Sequence, residues 1–382
     1  MTGCERAKLK SAHRIVVKVG TKIICGSSGH LDLQRMERLV QDLASLWEEG
    51  REVILVSSGS IGAGVGRLGL LPNKPRTIPE KQAAAAVGQG ILMQHYETYF
   101  TPQGIIVAQV LLTREDMTSR ERYLNARHTL QSLLGFRAIP IVNENDTVAV
   151  EEIRFGDNDT LAALVACLVD ADLLILLTDL DGYYTDDPQK NMDAELIPEI
   201  HKITPEIEAG AGGRGSALAT GGMETKLMAA KITMQAGIPL VIASGMRKGI
   251  LQTVLEGESV GTLFVPQDDR MQARKFWIAF GSPVQGKVFI DDGAADALLK
   301  KGKSLLPSGV VRVEGTFTAG NVVGIIGMSG QEIARGISNY PIEELQLIKG
   351  HNSREIQKIL GYHDYDEVVH RDNLTIVSND HN

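Results

Sequence analysis

Two lysines that lie far apart in the chain occupy positions from which an ammonium group would reach a phosphate. Lys18 stands in a β-branched run at 15–19 that breaks into the glycine turn 20–22, and Lys226 closes a second glycine turn at 220–226 that opens a helical pattern. Glycine turns and helix N-termini present backbone N–H groups that bind anions. The alternatives are an ordinary strand-edge lysine in the first case and a flexible, capped loop in the second. We expect Lys226 to be exposed in its loop.

Further polar segments follow apolar runs. Residues 57–66 carry serines and glycines that could form an anion-binding nest or could serve close packing at a strand-to-helix turn. Acid-amide loops at 143–147 and 156–160 could ligate a divalent metal, cap a helix, or hold an amino-acid ammonium group. The loop 178–188 could hold adenine and ribose, or it could be a turn whose tyrosines pack inside the domain.

The familiar nucleotide-binding signatures are absent from the sequence. There is no G-x-x-x-x-G-K-[ST] loop, no H-R-D with D-F-G, and no G-x-G-x-x-G followed by an acid placed for a ribose. Lysines beside glycine turns suit phosphoryl transfer, which depends on alignment and charge neutralisation. A carboxylate acceptor is already an anionic nucleophile at neutral pH, so the absence of an obvious histidine relay near these loops favours such an acceptor.

The order of patterns along residues 14–261 predicts one α/β domain. Short β-branched runs alternate with helical patterns, as in βαβ units on a parallel sheet covered on both faces. The clearest helix follows Asp32, which can cap its start, and Gly50 suits its end. Since ligands bind outside the carboxyl ends of such strands, we expect the polar segments to converge on one site. Strands are expected at 15–19, 53–56, 105–109, 138–142, 173–177 and 240–243, and helices at 124–134 and 160–168.

The pattern changes near residues 265–270. From Phe276 onward, short runs with closely spaced glycines predict a small β-rich barrel. Residues 276–382 hold 10 Lys and Arg against 13 Asp and Glu, a balance of −3, which leaves −5 of the total of −8 for the rest of the chain. Neither part is basic, which argues against charge-driven binding to nucleic acid or acidic membranes and favours small-molecule partners.

The cysteines and the apolar runs indicate a cytoplasmic protein. Cys4, Cys25 and Cys167 are too few and too widely spaced for a disulfide framework or a ligand cluster, which fits a reducing compartment. The N-terminus lacks an apolar signal core, and the run 161–177 is interrupted by two aspartates. We therefore expect neither export nor a membrane anchor.

Eight ordered motifs resemble the amino acid kinase family, in particular its members that phosphorylate free L-glutamate and carry a C-terminal PUA domain. They are V-V-K-V-G-T-K at 16–22, S-S-G at 57–59, L-L-T-R at 111–114, R-E-R-Y-L-N-A-R at 120–127, V-N-E-N-D at 142–146, G-D-N-D at 156–159, T-D-L-D-G-Y-Y-T at 178–185 and T-G-G-M-E-T-K at 220–226. The resemblance implies an αβα sandwich with a mainly parallel sheet, plus a small β-barrel-like PUA domain. The implied boundaries are a catalytic domain at 12–262, a linker at 263–275, the PUA domain at 276–360 and a polar tail at 361–382.

The resemblance also implies roles for residues at the matching positions. Lys18 and Lys226 would stabilise the transferring phosphoryl group, and Asp159 would hold both lysines in place. The residues that would bind glutamate are Ser58, Asp146 and Asn158. The residues that would hold ATP are Lys18, Thr178, Asp179, Thr220, Gly221, Gly222, Met223, Glu224, Thr225 and Lys226. The chain departs from the family pattern with Ser60 in place of a frequent Ala and Tyr183 in place of a frequent Leu, and neither change removes a charged role.

The implied reaction converts L-glutamate and ATP, taken with Mg²⁺, into L-glutamyl 5-phosphate, the first step of proline biosynthesis. No residue is assigned as a metal ligand. Likeness to the family also implies inhibition by L-proline and a homodimer or homotetramer. PUA domains bind RNA in other proteins, but the local charge argues against it here. The rival interpretations are a sibling kinase acting on acetylglutamate, carbamate or UMP, and an RNA-binding protein with a ligand-sensing α/β domain.

Overall fold

The computed structural model describes residues 3–25, 30–70, 77–113, 116–117, 120–148, 158–188, 190–211, 222–266 and 284–376 of the chain. The chain divides into two compact units, Met1–Arg270 and Met271–Asn382. Among the described helices, none has the length and the run of apolar residues that crossing a bilayer requires.

The first unit is built from alternating strands and helices. Its strands are β1 (Arg14–Val19), β2 (Glu52–Ser57), β3 (Val107–Leu112), β4 (Ile139–Glu144), β5 (Leu173–Thr178), β6 (Glu199–Ile200), β7 (Leu240–Ser244) and β8 (Thr262–Phe264). Its helices include α1 (Gly3–Lys8), α2 (Thr21–Ile24), α3 (Leu33–Glu48), α4 (Ser60–Arg67), α5 (Ile78–Phe100), α6 (Arg120–Gly135), α7 (Asn158–Leu168), α8 (Pro205–Ala211), α9 (Met223–Gln235) and α10 (Ile250–Leu255).

The strands of the first unit form one sheet in the order β3-β4-β2-β1-β5-β7-β8-β6. All neighbouring strands run parallel except β7 and β8, which are antiparallel. The predicted mainly parallel α/β fold is therefore confirmed. The six expected strands all form, although the strand expected at 105–109 begins and ends later, at Val107–Leu112. The two short strands β6 and β8 and the long helix α5 were not predicted.

Both faces of the sheet are covered, which is why its central strands are continuously apolar. On one face, alternate residues such as Ile15 and Val17 lie in a core with α3, α5 and α10. The intervening residues Val16 and Leu174 are also fully buried. Helix α3 begins where predicted, because the Asp32 carboxylate accepts a hydrogen bond from the Arg35 backbone N–H at 3.1 Å.

A glycine contact fixes α5 against the turn that follows β2. Gly59 has φ of 104°, in the left-handed region, and α4 begins directly after it. A Cβ added to Gly64 would lie 1.8 Å from the Ala84 carbonyl oxygen, and one added to Gly88 would lie 1.8 Å from the Ser60 carbonyl oxygen. The two helices can approach this closely only because these positions have no side chain, so the close-packing interpretation of the segment 57–66 applies to Gly64.

The buried side chain of Arg6, from α1, stabilises the β8 and β6 edge of the sheet. Its guanidinium donates to the backbone carbonyls of Pro198, Glu258, Val260 and Gly261 at 2.7 to 3.1 Å. It also lies 3.6 Å from the carboxylate of Glu199 in β6. Burial lowers the pKa of Arg6, and the neighbouring carboxylate opposes that shift.

The second unit has its own sheet and its own core. Its strands are β9 (Gly286–Ile290), β10 (Val310–Gly315), β11 (Val322–Ile326), β12 (Glu332–Ile337) and β13 (Leu374–Ile376), in the order β10-β9-β11-β12-β13, and its helices include α11 (Asp292–Lys301), α12 (Ile342–Ile348) and α13 (Ile356–Leu360). Val288, Ile325 and Leu345 are fully buried in that core. Strand β13 lies inside the expected polar tail and pairs with β12, while the expected linker lies mostly outside the described residues.

Candidate active site

The two lysines singled out by the sequence converge on one aspartate. Lys18 projects from β1, Asp159 lies in the first turn of α7, and Lys226 lies in the first turn of α9. The Lys18 Nζ is 2.6 Å from Asp159 Oδ1, and the Lys226 Nζ is 3.0 Å from Asp159 Oδ2. One carboxylate therefore holds two ammonium groups, one on each oxygen, at the carboxyl end of the sheet.

The electrostatics of this cluster depend on its burial. Asp159 is fully buried, and both lysines are 6% exposed. Burial alone would raise the pKa of Asp159, but the two lysines outweigh it and bring the pKa down to about 2. Asp159 therefore stays ionised at neutral pH. Two cations facing one anion leave this cluster with a net positive charge, which suits an anionic ligand.

The expectation that Lys226 is exposed in a loop is wrong. Gly222 is the N-cap of α9, so the glycine turn ends at once and Lys226 falls within the first helical turn, where its side chain is buried against Asp159. The Thr225 hydroxyl lies 2.9 Å from Asp159 Oδ2 and 2.8 Å from the Gly222 carbonyl oxygen. Removing Lys226 would consequently disturb a buried ion cluster as well as any bound phosphate.

Asn158, the neighbour of Asp159, belongs to a second cluster made of neutral groups. Its Nδ2 donates to Ser58 Oγ at 2.9 Å and to Asn143 Oδ1 at 3.0 Å. Asn143 Nδ2 in turn donates to Gln89 Oε1, on α5, at 2.8 Å. The expected glutamate residues Ser58 and Asn158 are thus brought together beside the lysine cluster.

The third expected glutamate residue, Asp146, follows β4 and contacts Ser60. The Ser60 hydroxyl donates to Asp146 Oδ2 at 2.7 Å. Burial raises the pKa of Asp146, and the hydrogen bond from Ser60 opposes that shift. The sequence offered Ser60 as part of a possible anion-binding nest and as a departure from the family pattern, and in the structure its hydroxyl holds one oxygen of the Asp146 carboxylate.

The residues expected to hold ATP are only partly described. Thr178 ends β5, and its hydroxyl donates to Asp179 Oδ1 at 3.1 Å, while the exposed Lys22 pairs with Asp179 Oδ2 at 2.8 Å. Gly222, Met223, Glu224, Thr225 and Lys226 form the start of α9. Thr220 and Gly221 lie outside the described residues.

Tyr183 packs inside the domain and does not offer its ring to a ligand. It is 1% exposed, its ring meets Phe264 edge to face at 6.4 Å, and its hydroxyl donates to the backbone carbonyl of Ile207. Its backbone N–H donates to Thr262 Oγ1 at 2.7 Å. Of the two interpretations of the loop 178–188, the one in which its tyrosines pack inside the domain applies to Tyr183.

Several polar residues that the structure places at the site had no predicted role. Gln89 comes from a helix that was not predicted, and Asn143 was seen only as part of an acid-amide loop. Behind Ser58, the fully buried Ser57 hydroxyl meets the Tyr96 hydroxyl at 2.8 Å. Ser57 and Asn143 lie in motifs that match the family, but no sequence signal indicated their contacts with Tyr96 and Gln89, because those contacts join distant segments.

The described side chains do not build a metal site. Across the described ranges, no group of three or more His, Cys, Asp and Glu side chains is placed to hold a metal ion. The two ammonium groups of Lys18 and Lys226 are donors that fit phosphate oxygens and cannot ligate a cation. The two ammonium groups therefore fit the oxygens of a polyphosphate.

A mainly parallel α/β sheet with a paired-lysine cluster at its carboxyl end agrees with the family comparisons. The model of the amino acid kinase family matches residues 13–244, and the model of the PUA domain matches residues 286–360. The chain belongs to the amino acid kinase family.

Two curated relatives at high identity share one name. The chain is 57% identical to the glutamate 5-kinase of Moorella thermoacetica, over 97% of this chain and 98% of that protein. It is 51% identical to the glutamate 5-kinase of Pelobacter propionicus, over 97% of this chain and 100% of that protein. Among solved structures, the match to UMP kinase from Bacillus anthracis spans 66% of this chain and 96% of that chain. Its TM-score is 0.44 and the sequence identity is 16%.

Proposed function

We propose that this protein transfers the γ-phosphoryl group of ATP to the side-chain carboxylate of L-glutamate, giving L-glutamyl 5-phosphate and ADP in the first step of proline biosynthesis. The observation that carries the proposal is the buried Lys18–Asp159–Lys226 cluster beside the amide cluster of Asn158. The name shared by the relatives supports glutamate as the acceptor. The sibling-kinase and RNA-binding interpretations gain no such support.

Lys18 and Lys226 are assigned the task of stabilising the phosphoryl group during transfer. Charge is spread over the equatorial oxygens of that group in the transition state, so fixed cations in a buried site lower the barrier. Asp159 is a positioning residue, because its two oxygens hold the two ammonium groups, one on each oxygen. Both cations also reduce the repulsion between the anionic acceptor and the anionic donor.

The acceptor needs no general base in this reaction. The side-chain carboxylate of glutamate is ionised at neutral pH and attacks directly. Ser58, Asn158 and Asp146 are assigned to the amino acid, with the Asp146 carboxylate and the Asn158 side-chain oxygen facing its ammonium group. This leaves the far carboxylate of glutamate free to reach the lysine cluster.

Thr178, Asp179 and the segment Thr220 to Lys226 are assigned to ATP. The N-terminus of α9, which spans Met223–Gln235, directs its positive dipole end at the phosphates. Mg²⁺ is proposed to arrive bound to ATP and to neutralise phosphate charge.

A substrate screen tests the proposed reaction. ATP-dependent acyl phosphate formation, trapped as the hydroxamate, should be highest with L-glutamate when L-glutamate, L-aspartate and N-acetyl-L-glutamate are compared at equal concentration. A preference for aspartate or for the acetylated substrate would refute the assignment of glutamate.

Four further properties are proposed on the likeness to the family. These are inhibition by L-proline, a homodimer or homotetramer, a cytoplasmic location, and the division into a catalytic domain at 12–262, a linker at 263–275, a PUA domain at 276–360 and a tail at 361–382. Adding proline to the assay tests the first, since competitive loss of turnover is expected. Light scattering tests the second, and a monomer would contradict it.

A further inference from the structure

The amide cluster next to the lysines contains a chain of three side chains whose orientations are fixed by one backbone group. The Glu144 backbone N–H, which can only donate, points at Asn143 Oδ1 at 2.8 Å. This sets the oxygen and the nitrogen of the Asn143 amide. Asn143 Nδ2 must then face an acceptor, which is Gln89 Oε1, and Asn143 Oδ1 must also face the donor Asn158 Nδ2.

The three hydrogen-bonded amides end in two buried atoms of opposite kind, a donor and an acceptor. Within the described residues, Gln89 Nε2 and Asn158 Oδ1 are buried polar atoms without a hydrogen-bond partner. Gln89 is 9% exposed and Asn158 is 8% exposed. Leaving a buried polar group unpaired is costly, so each of these atoms calls for a ligand. Gln89 Nε2 offers a donor, and Asn158 Oδ1 offers an acceptor.

A free amino acid supplies the complement to both ends, because its α-carbon carries a carboxylate that accepts and an ammonium group that donates. We propose that Gln89 is a specificity-determining residue whose Nε2 donates a hydrogen bond to the α-carboxylate of the glutamate substrate. This inference rests on the proposed function and adds to it a residue from α5. Gln89 thereby distinguishes the α-carboxylate, which it holds, from the side-chain carboxylate, which is left to accept the phosphoryl group.

The glycine contact described above holds Gln89 in place for this role. Gly88, its neighbour, lies against the Ser60 backbone so closely that a Cβ there would meet the Ser60 carbonyl oxygen at 1.8 Å. The same turn carries Ser58, which accepts from Asn158 at 2.9 Å. Helix α5 and the turn after β2 therefore present Gln89 and Ser58 to the same amide chain as one rigid pair.

Two substitutions at Gln89 and two substrates test the proposal. Gln89→Met removes both polar atoms at similar length, while Gln89→Glu keeps the acceptor for Asn143 and replaces the donor by an acceptor. The substrates are L-glutamate and L-isoglutamine, in which the α-carboxylate is a carboxamide and the side-chain carboxylate is unchanged. ADP release is measured for each combination, and Gln94→Met, at an exposed position of the same helix, is the matched control.

For Gln89→Met we expect KM for L-glutamate to rise about tenfold or more, as for loss of a hydrogen bond to a charged group, with a smaller change in kcat. The rise in KM for L-isoglutamine should be smaller, because the α-carboxamide of that substrate is neutral. For Gln89→Glu the preference for L-glutamate over L-isoglutamine should fall about tenfold or more, since the new carboxylate repels one α-group and accepts from the other. Gln94→Met should behave as the wild type.

The proposal would be overturned if, in both variants, KM changed by the same factor for L-glutamate and for L-isoglutamine. It would also be overturned if Gln89→Glu kept the wild-type KM for L-glutamate. The second result would mean that Gln89 acts only by accepting from Asn143. If Gln89→Met does not fold, as judged by circular dichroism, the substrate preference of Gln89→Glu decides alone. Absence of wild-type turnover on L-glutamate would instead refute the proposed function, so the two failures are distinguishable.

Discussion

Asn158 and Asp159 are neighbours in the first turn of α7, yet they belong to clusters of opposite kind. Asp159 lies between two ammonium groups, and Asn158 lies between a serine hydroxyl and an asparagine amide. One cluster is charged and suits a phosphoryl group, and the other is neutral and suits an amino acid. The start of a single helix thus places the proposed phosphoryl and amino-acid sites side by side, and substitutions on the two sides should have separable effects.

The largest effect is expected on the charged side. Lys226→Ala should lower kcat about 100- to 1000-fold, because a fixed donor to the transferring group is lost. The matched control is Lys231→Ala on the same helix, where the lysine pairs with Glu208 and its side chain is 37% exposed. Steady-state kinetics with saturating ATP and L-glutamate measure both variants. A kcat for Lys226→Ala within a few-fold of the control would remove its assigned role.

The second effect concerns stability and pH. The pKa of Asp159 is about 2 in the folded protein and lies near 3.9 in an unfolded chain. Its contribution to the free energy of unfolding is therefore present above about pH 4 and is lost as the pH falls toward about 2. The shift corresponds to about 2 to 3 kcal/mol.

Urea unfolding at several pH values tests this expectation. The difference in free energy of unfolding between the wild type and Asp159→Asn should be largest near neutral pH and should shrink by about 2 to 3 kcal/mol on acidification. A difference that is independent of pH would show that Asp159 titrates normally in the folded protein and that the lysines do not hold its charge.

On the neutral side, Asn158→Ala should act mainly on glutamate. Its KM for L-glutamate should rise about tenfold, in line with one or two lost hydrogen bonds, while KM for ATP changes little. The two KM values, measured in this one variant, distinguish an effect on the amino-acid site from an effect on the ATP site. An equal rise in both values would mean that the two sides of α7 are not independent.

The smallest effect is expected at Ser60. The Ser60 hydroxyl keeps the pKa of Asp146 from rising further, so Ser60→Ala should raise that pKa. If the ionised form of Asp146 holds the ammonium group of glutamate, KM for L-glutamate should increase as the pH is lowered, and in Ser60→Ala this increase should begin at a higher pH. If KM for L-glutamate began to increase at the same pH in both proteins, Ser60 would have no influence on the pKa of Asp146.

The sequence predicted the parts of the fold that have a strong period or a strong cap. Strands β1, β2, β4, β5 and β7 were placed to within a residue or two, because buried parallel strands are continuous apolar runs. Strands β6 and β8 are two and three residues long, too short to show any period. Helix α5 contains Ala and Gly on several faces, because it packs closely against α4, and so its apolar pattern is weak.

The candidate site was predictable as far as single segments carry a signal. Lys18, Asp159 and Lys226 stand in glycine and acid-amide segments that follow strands, and the sequence could assign them to one end of a parallel sheet. The amide chain could not be found in this way. Gln89, Asn143 and Asn158 are joined by contacts between α5, β4 and α7, and such contacts exist only once those elements have packed.

The hydrogen bonds of the Arg6 guanidinium have a consequence for folding during synthesis, because they join the start of the first unit to its end. Three of the four carbonyls that Arg6 binds belong to residues 258–261, so the guanidinium lacks most of these partners until almost the whole first unit has been translated. Helix α1 is therefore translated before most of the carbonyls that hold its arginine side chain. A nascent chain arrested before residue 261 should therefore keep that helix open to proteases, and release of the completed unit should protect it.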